Sequence, residues 1–171
     1  MNQVKIIATF LKYLCYVLAF GYLLTVIYSA FGIISGSFVK TMKNGSNLHI
    51  LFPFSDTTFL IAENNIKYIL FSFLLPMLFY GIFFMLSSQV STVFLKNKIF
   101  TLENQKIFER YYIYNTYLPL PLIFIASFFV ETESIIWILL FIHLILGIFS
   151  LFLSTICKQG LHLQHDQDLI I

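Results

Sequence analysis

Few side chains in this sequence can do chemistry. His143 stands alone in "WILLFIHLILGIF", a stretch otherwise free of ionisable residues. An ionisable group inside a lipid-facing stretch is expensive and marks a functional position by default. The blander reading is a neutral imidazole bonded to a Ser, a Tyr or a backbone carbonyl of a neighbouring helix. The lack of a second ionisable residue at its depth favours that reading. Asn115 opens "NTYLPLP", four residues before Pro119. Pro119 has no N–H to offer the Asn115 carbonyl, so the Asn115 and Thr116 side chains are expected to help satisfy the local backbone. Asn115 and His143 form a candidate intramembrane polar site.

Other candidates are weaker. His162, His165, Asp166 and Asp168 are metal-ligand types, but their spacing matches no standard site and a solvated tail is expected. Cys15 and Cys157 lie at depths about nine residues of helix apart, roughly 13 Å, so a disulfide is not expected. Both read as small buried hydrophobes. Walker, dinucleotide, HExxH and GxSxG patterns are missing from the sequence. The central parts of the apolar runs hold no Asp, Glu, Lys or Arg, which argues against a proton-coupled carrier and a charged selectivity ring. The expectation is a protein that is not an enzyme and takes no cofactor and no metal.

The elements that position these residues follow from composition. Hydrophobic residues are 59% of the 171 and charged residues 11%, far below the roughly 25% charged of soluble domains. A net charge of +2 is too small to suggest direct nucleic-acid binding. Stretches 13–39, 68–95, 111–130 and 134–157 carry no charge, and each matches the roughly 20 residues a membrane helix needs. They are continuous rather than alternating, so helices are expected and barrel strands are not. The first run exceeds the roughly 7–15 residues of a signal-peptide core and reads as a retained span.

The expected fold class is an all-α membrane protein of one domain, 1–171. Its four transmembrane helices cover about 8–34, 68–95, 111–130 and 135–157. An outer loop, 35–67, holds a small β-hairpin or meander. An inner loop spans 96–110, and a cytoplasmic tail runs over 158–171. Placing both termini inside puts Lys5, Lys12, Lys96, Lys98, Lys106, Arg110 and Lys158 in the cytoplasm, against Lys40, Lys43 and Lys67 outside. The basic excess supports that orientation.

Local signals add detail. Asn44-Gly45 and "PFSD" are turn signals. Ile50, Phe52, Phe54, Phe59 and Ile61 are expected to pack on helix ends or headgroups. Glu63 or Asn64 is the expected cap of the second helix. Thr101 is the expected cap of a helix that starts near Leu102 and runs into the third span. Pro119 and Pro121 predict a kink there, and Pro76 a similar bend in the second span. Tyr111, Tyr112, Tyr114 and Tyr117, with Trp137 at the other border, read as an aromatic belt.

"KIFTLENQKIFER" resembles the "pFt-x-eN" element in the central cytoplasmic loop of a family of small bacterial four-helix membrane proteins, catalogued as a domain of unknown function. The tail "KQGLHLQHDQDLII" resembles that family's ending through Gly160, Leu163, Asp166, Asp168, Leu169 and Ile171, with Ile170 in place of the usual Thr. The family's members are often encoded beside a small Cro-like helix-turn-helix regulator. The resemblance therefore implies a bacterial cell-membrane location, no known enzymatic activity and a membrane partner of a cytoplasmic regulator.

On that implication, the candidate docking residues are Phe100, Thr101, Asn104, Leu163, Asp166, Asp168, Leu169 and Ile171. The tail alternates with period 2 better than it fits a helix, so it could add to a partner as a strand or clasp Lys98, Lys106 or Arg110. A regulatory or sensory partner is the leading expectation. The alternative is a small-molecule or lipid-handling protein with an intramembrane cavity lined by Asn115, the proline kink and His143. A structural subunit of a larger complex ranks third. Lipid is the expected surrounding, and oligomerisation stays open.

Overall fold

The computed structural model describes residues 2–42 and 45–168. Helix α1 spans Asn2–Ser35 and stops at Gly36, whose φ of +67° suits a glycine just past a helix end. Three strands follow: β1 (Val39–Thr41), β2 (Asn47–Leu51) and β3 (Thr58–Glu63). They form an antiparallel meander in the order β1-β2-β3. Helix α2 covers Ile66–Val93. Helix α3 (Leu102–Tyr117) and helix α4 (Pro119–Ser127) are separated at Leu118. Helix α5 runs Ser134–Asp168.

Three helices, α1, α2 and α5, are long and apolar enough to cross a membrane. The fourth member of the bundle, α3 with α4, is divided. Pro119 and Pro121 remove two backbone donors in succession. Bonding resumes with Leu122 N–H to the Leu118 carbonyl at 3.3 Å. The chain is thus a membrane helical bundle with a small sheet between its first two helices.

The sheet meets the expectation in part. Leu48 pairs with Ala62 and Ile50 with Leu60, so these four share one face. Leu48, Ile50 and Ala62 join Ile69 and Phe73 of α2 in a core, with Leu60 beside them. Ile61 lies on the opposite face, paired with His49. An irregularity after Ile50 pairs Leu51 with Thr58 and leaves Phe59 out of the ladder. Of the five residues expected on helix ends or headgroups, Ile50 is fully buried against α2 and the Phe59 ring meets Tyr28 of α1, centroids 6.2 Å apart; Phe52 and Ile61 are exposed, and Phe54 is 96% exposed at the β2–β3 turn.

Further differences concern helix ends. Asn65 caps α2, accepting from Lys67 N–H at 3.0 Å, rather than Glu63 or Asn64. Pro76 is accommodated by a π-helical turn over Ile69–Leu74, where Leu75 N–H bonds Leu70 O, rather than by a simple bend. The tail is helical through Asp168, not extended. No proline interrupts it, and elongating a nucleated helix costs far less than starting a new element. Leu169 and Ile171 lie outside the described residues.

Candidate intramembrane site and its cleft

The polar pair is assembled by α3 and α5. Asn115 sits one turn before the break at Leu118 and is fully buried. Its Nδ2 donates to the Tyr111 carbonyl at 2.8 Å. That carbonyl only accepts, so the Asn115 amide oxygen is the atom turned to His143 Nδ1, 2.7 Å away. An amide oxygen is acceptor only, so Nδ1 carries the proton and donates. The imidazole's Nε2 then holds a lone pair, and among the described residues no protein group pairs with it. His143 is 5% exposed.

This reach depends on close helix approach. Gly147 lies one turn beyond His143, and a Cβ there would collide with Thr116 Oγ1 of α3. A glycine lets the two backbones meet, as small residues do at membrane helix contacts. From α2, the Phe79 and Phe83 rings present edge-on contacts to the imidazole, each with centroids 5.0 Å away. Tyr80 lies at 5.8 Å. Tyr114 stacks on Phe79 at 4.9 Å and donates its hydroxyl to the Phe79 carbonyl at 2.7 Å. Tyr111 is buried and accepts a 3.3 Å bond from Ser87 Oγ. Two of the four tyrosines expected at the lipid border therefore face the bundle, and Tyr112 and Tyr117 bond each other outside it.

A cleft of about 700 Å³ ends at His143. One wall is α2, with Phe71, Leu75 and Phe79. The other comes from α4 and α5, with Leu122, Ala126, Leu139 and Leu140. Glu63, Glu131, Glu133 and Asn65 ring its mouth at the sheet end. The cleft exists because α4 leaves the bundle after Pro119. It makes far less contact with α5 than α3 does. The acidic mouth was not foreseen as a site. Its signal was the topology, which gathers the ends of β3, α4 and α5.

The opposite end is closed. Thr101 Oγ1 caps α3 by accepting from Asn104 N–H at 3.2 Å, as expected. Asn104 is fully buried and donates to the carbonyls of Lys98 (3.1 Å) and Ile99 (2.8 Å) while accepting from Lys96 Nζ (2.9 Å). The Phe100 ring lies on Gly160, where a Cβ would come within 2.5 Å of it. These three docking candidates are thus close together, with Thr101 and Asn104 engaged in holding the loop. Leu163 is 65% exposed and Asp166 is exposed on the helical tail. Asp168 ends α5, and its side chain and residues 169–171 are outside the description. Among the described residues, no ion pair joins the tail to Lys98, Lys106 or Arg110, and no group of three metal-ligand types gathers.

Comparison with protein-family models, curated proteins and solved structures finds no match to this chain.

Proposed function

We propose that this protein binds small apolar molecules or lipid from the outer half of a cell membrane, without transforming them. The observation that carries this reading is the 700 Å³ cleft, apolar along its walls and ending at His143, whose Nδ1 is bonded to Asn115. Ligand sites are concave, mostly apolar and supplied with few polar groups. The basic excess on the segments at the Thr101 end supports an orientation with both termini inside and the sheet outside.

The test is native mass spectrometry of protein released from its own membranes. Wild type should carry a retained apolar adduct, and Ala126→Phe, which fills the cleft, should lose it. Equal adducts on both would remove the reading.

A second reading, the membrane partner of a cytoplasmic helix-turn-helix regulator, is favoured by one observation. Helix α5 carries the exposed Leu163 and Asp166 beyond the apolar stretch on the same rigid element that holds His143. Co-purification with the full chain, and loss of the partner on truncation after Gln159, would support it. No partner from a stable full chain would count against it.

A further inference from the structure

The cleft's two ends differ chemically, and the difference selects a ligand. At the deep end, the Asn115 amide fixes the tautomer of His143 with Nδ1 protonated. Among the described residues, the only sealed side-chain polar atoms without a partner are Ser29 Oγ and Thr116 Oγ1. His143 Nε2 also lacks a protein partner, yet it is not sealed, and His143 lines the cleft. Its lone pair therefore opens into the cleft, on a residue more than nine-tenths buried. An acceptor in apolar surroundings stays costly until a donor meets it.

The mouth carries Glu63, Glu131 and Glu133. Among the described residues none of the three makes an ion pair. Their charge disfavours an anionic ligand. Depth sets the size. His143 lies nine residues beyond Ser134, the start of α5, about 14 Å along the axis. That is about half of a 30 Å hydrocarbon core, or the depth of one leaflet.

Resting on the binding reading above, we propose that the cleft takes a neutral apolar molecule bearing a hydroxyl, an aliphatic alcohol or a phenol. It enters hydroxyl-first and donates to His143 Nε2. The Phe79 and Tyr80 rings flank the hydroxyl end, and the body lies against Leu122, Ala126 and Leu139.

The test uses full-length protein in nanodiscs of neutral phospholipid and three fluorescent probes. These are a long-chain primary alcohol, its methyl ether and the corresponding fatty acid. The alcohol should bind about tenfold more tightly than the ether, the worth of one neutral hydrogen bond, and more tightly than the ionised acid. His143→Phe should bring the alcohol down to the ether's affinity, while His143→Gln, which keeps an acceptor, should retain most of the preference. Because His143→Phe orphans Asn115, the pair His143→Phe with Asn115→Leu is measured beside it, with a melting curve for each.

If alcohol and ether bind equally and both are lost in Ala126→Phe, the cleft binds but the hydroxyl pairing is wrong. If the fatty acid matches the alcohol, the exclusion of anions is wrong. If Ala126→Phe changes no probe's binding, the cleft reading itself falls.

Discussion

The two halves of this bundle use the same four helical strokes to opposite ends. At the Thr101 end, Val93, Phe108 and Cys157 form a filled core, and Ser150 Oγ donates across helices to the Phe108 carbonyl at 2.8 Å. At the sheet end, α4 turns away and the space between α2 and α5 stays open. Pro119 marks the change. Before it, α3 follows α5 closely through Gly147 and Ser150; after it, no such packing continues. A bundle can thus stay closed at one end and expose a cleft at the other through two prolines.

The comparison can be broken from its closed side. Gly147→Val should have the largest effect, because its side chain meets Thr116 and forces α3 from α5. Overpacking typically costs about 1–3 kcal/mol, and this site, tight against Thr116 Oγ1, should lie at the upper end of that range in thermal unfolding in detergent. Asn104→Ala should follow, at about 1–3 kcal/mol, since a fully buried side chain that bonds the Lys98 and Ile99 carbonyls and Lys96 Nζ is lost. Amide exchange at the 96–101 loop should rise in that variant.

Where the halves meet, Asn115→Leu should cost about 1–3 kcal/mol by leaving the His143 N–H unpaired. Adding His143→Phe should recover much of the loss, because replacing both partners by apolar groups is close to neutral. A double-mutant cycle of melting curves measures that coupling.

The smallest effect belongs to the sheet's outer tip. The Lys40 ammonium, 2.6 Å from Asp56, holds that carboxyl below its usual range. A lowered native pKa contributes stability above the unfolded carboxylate range and loses it as pH falls through the native value. The pair is exposed, so Asp56→Asn should leave the melting temperature at neutral pH almost unchanged. It should also slightly flatten the acid side of the profile.

Much of the closed half was legible in the sequence. Thr101 and the residues behind it make a local cap, which needs no tertiary knowledge. The break after Asn115 was equally local, written in Pro119 and Pro121. The His143–Asn115 bond was legible only in type: two isolated polar groups in lipid need partners, but which partner depends on the approach that Gly147 permits. The sheet's core face was only partly named: Ile50 was, whereas Leu48, Leu60 and Ala62 join it through the register that pairs Leu48 with Ala62 and Ile50 with Leu60. The helical tail was missed because alternation over 161–171 says little against an already formed helix. The cleft was legible only as the alternative of a cavity at Asn115, the proline kink and His143; Pro119 and His143 do line it, while Asn115 stands behind His143, and the cleft's other walls and acidic mouth follow from how far α4 diverges.

One measurement tests the open-versus-closed account most directly: the same substitution placed in each half. Ala126 lines the cleft, whereas Ala8, toward the other end of the bundle, is buried in α1. Thermal unfolding of Ala8→Phe and Ala126→Phe should separate them. The account predicts a loss of about 1–3 kcal/mol for Ala8→Phe and a melting temperature for Ala126→Phe close to wild type or above it. Equal destabilisation by both would mean that the sheet end is as tightly packed as the rest, and would contradict the cleft on which the proposed function stands.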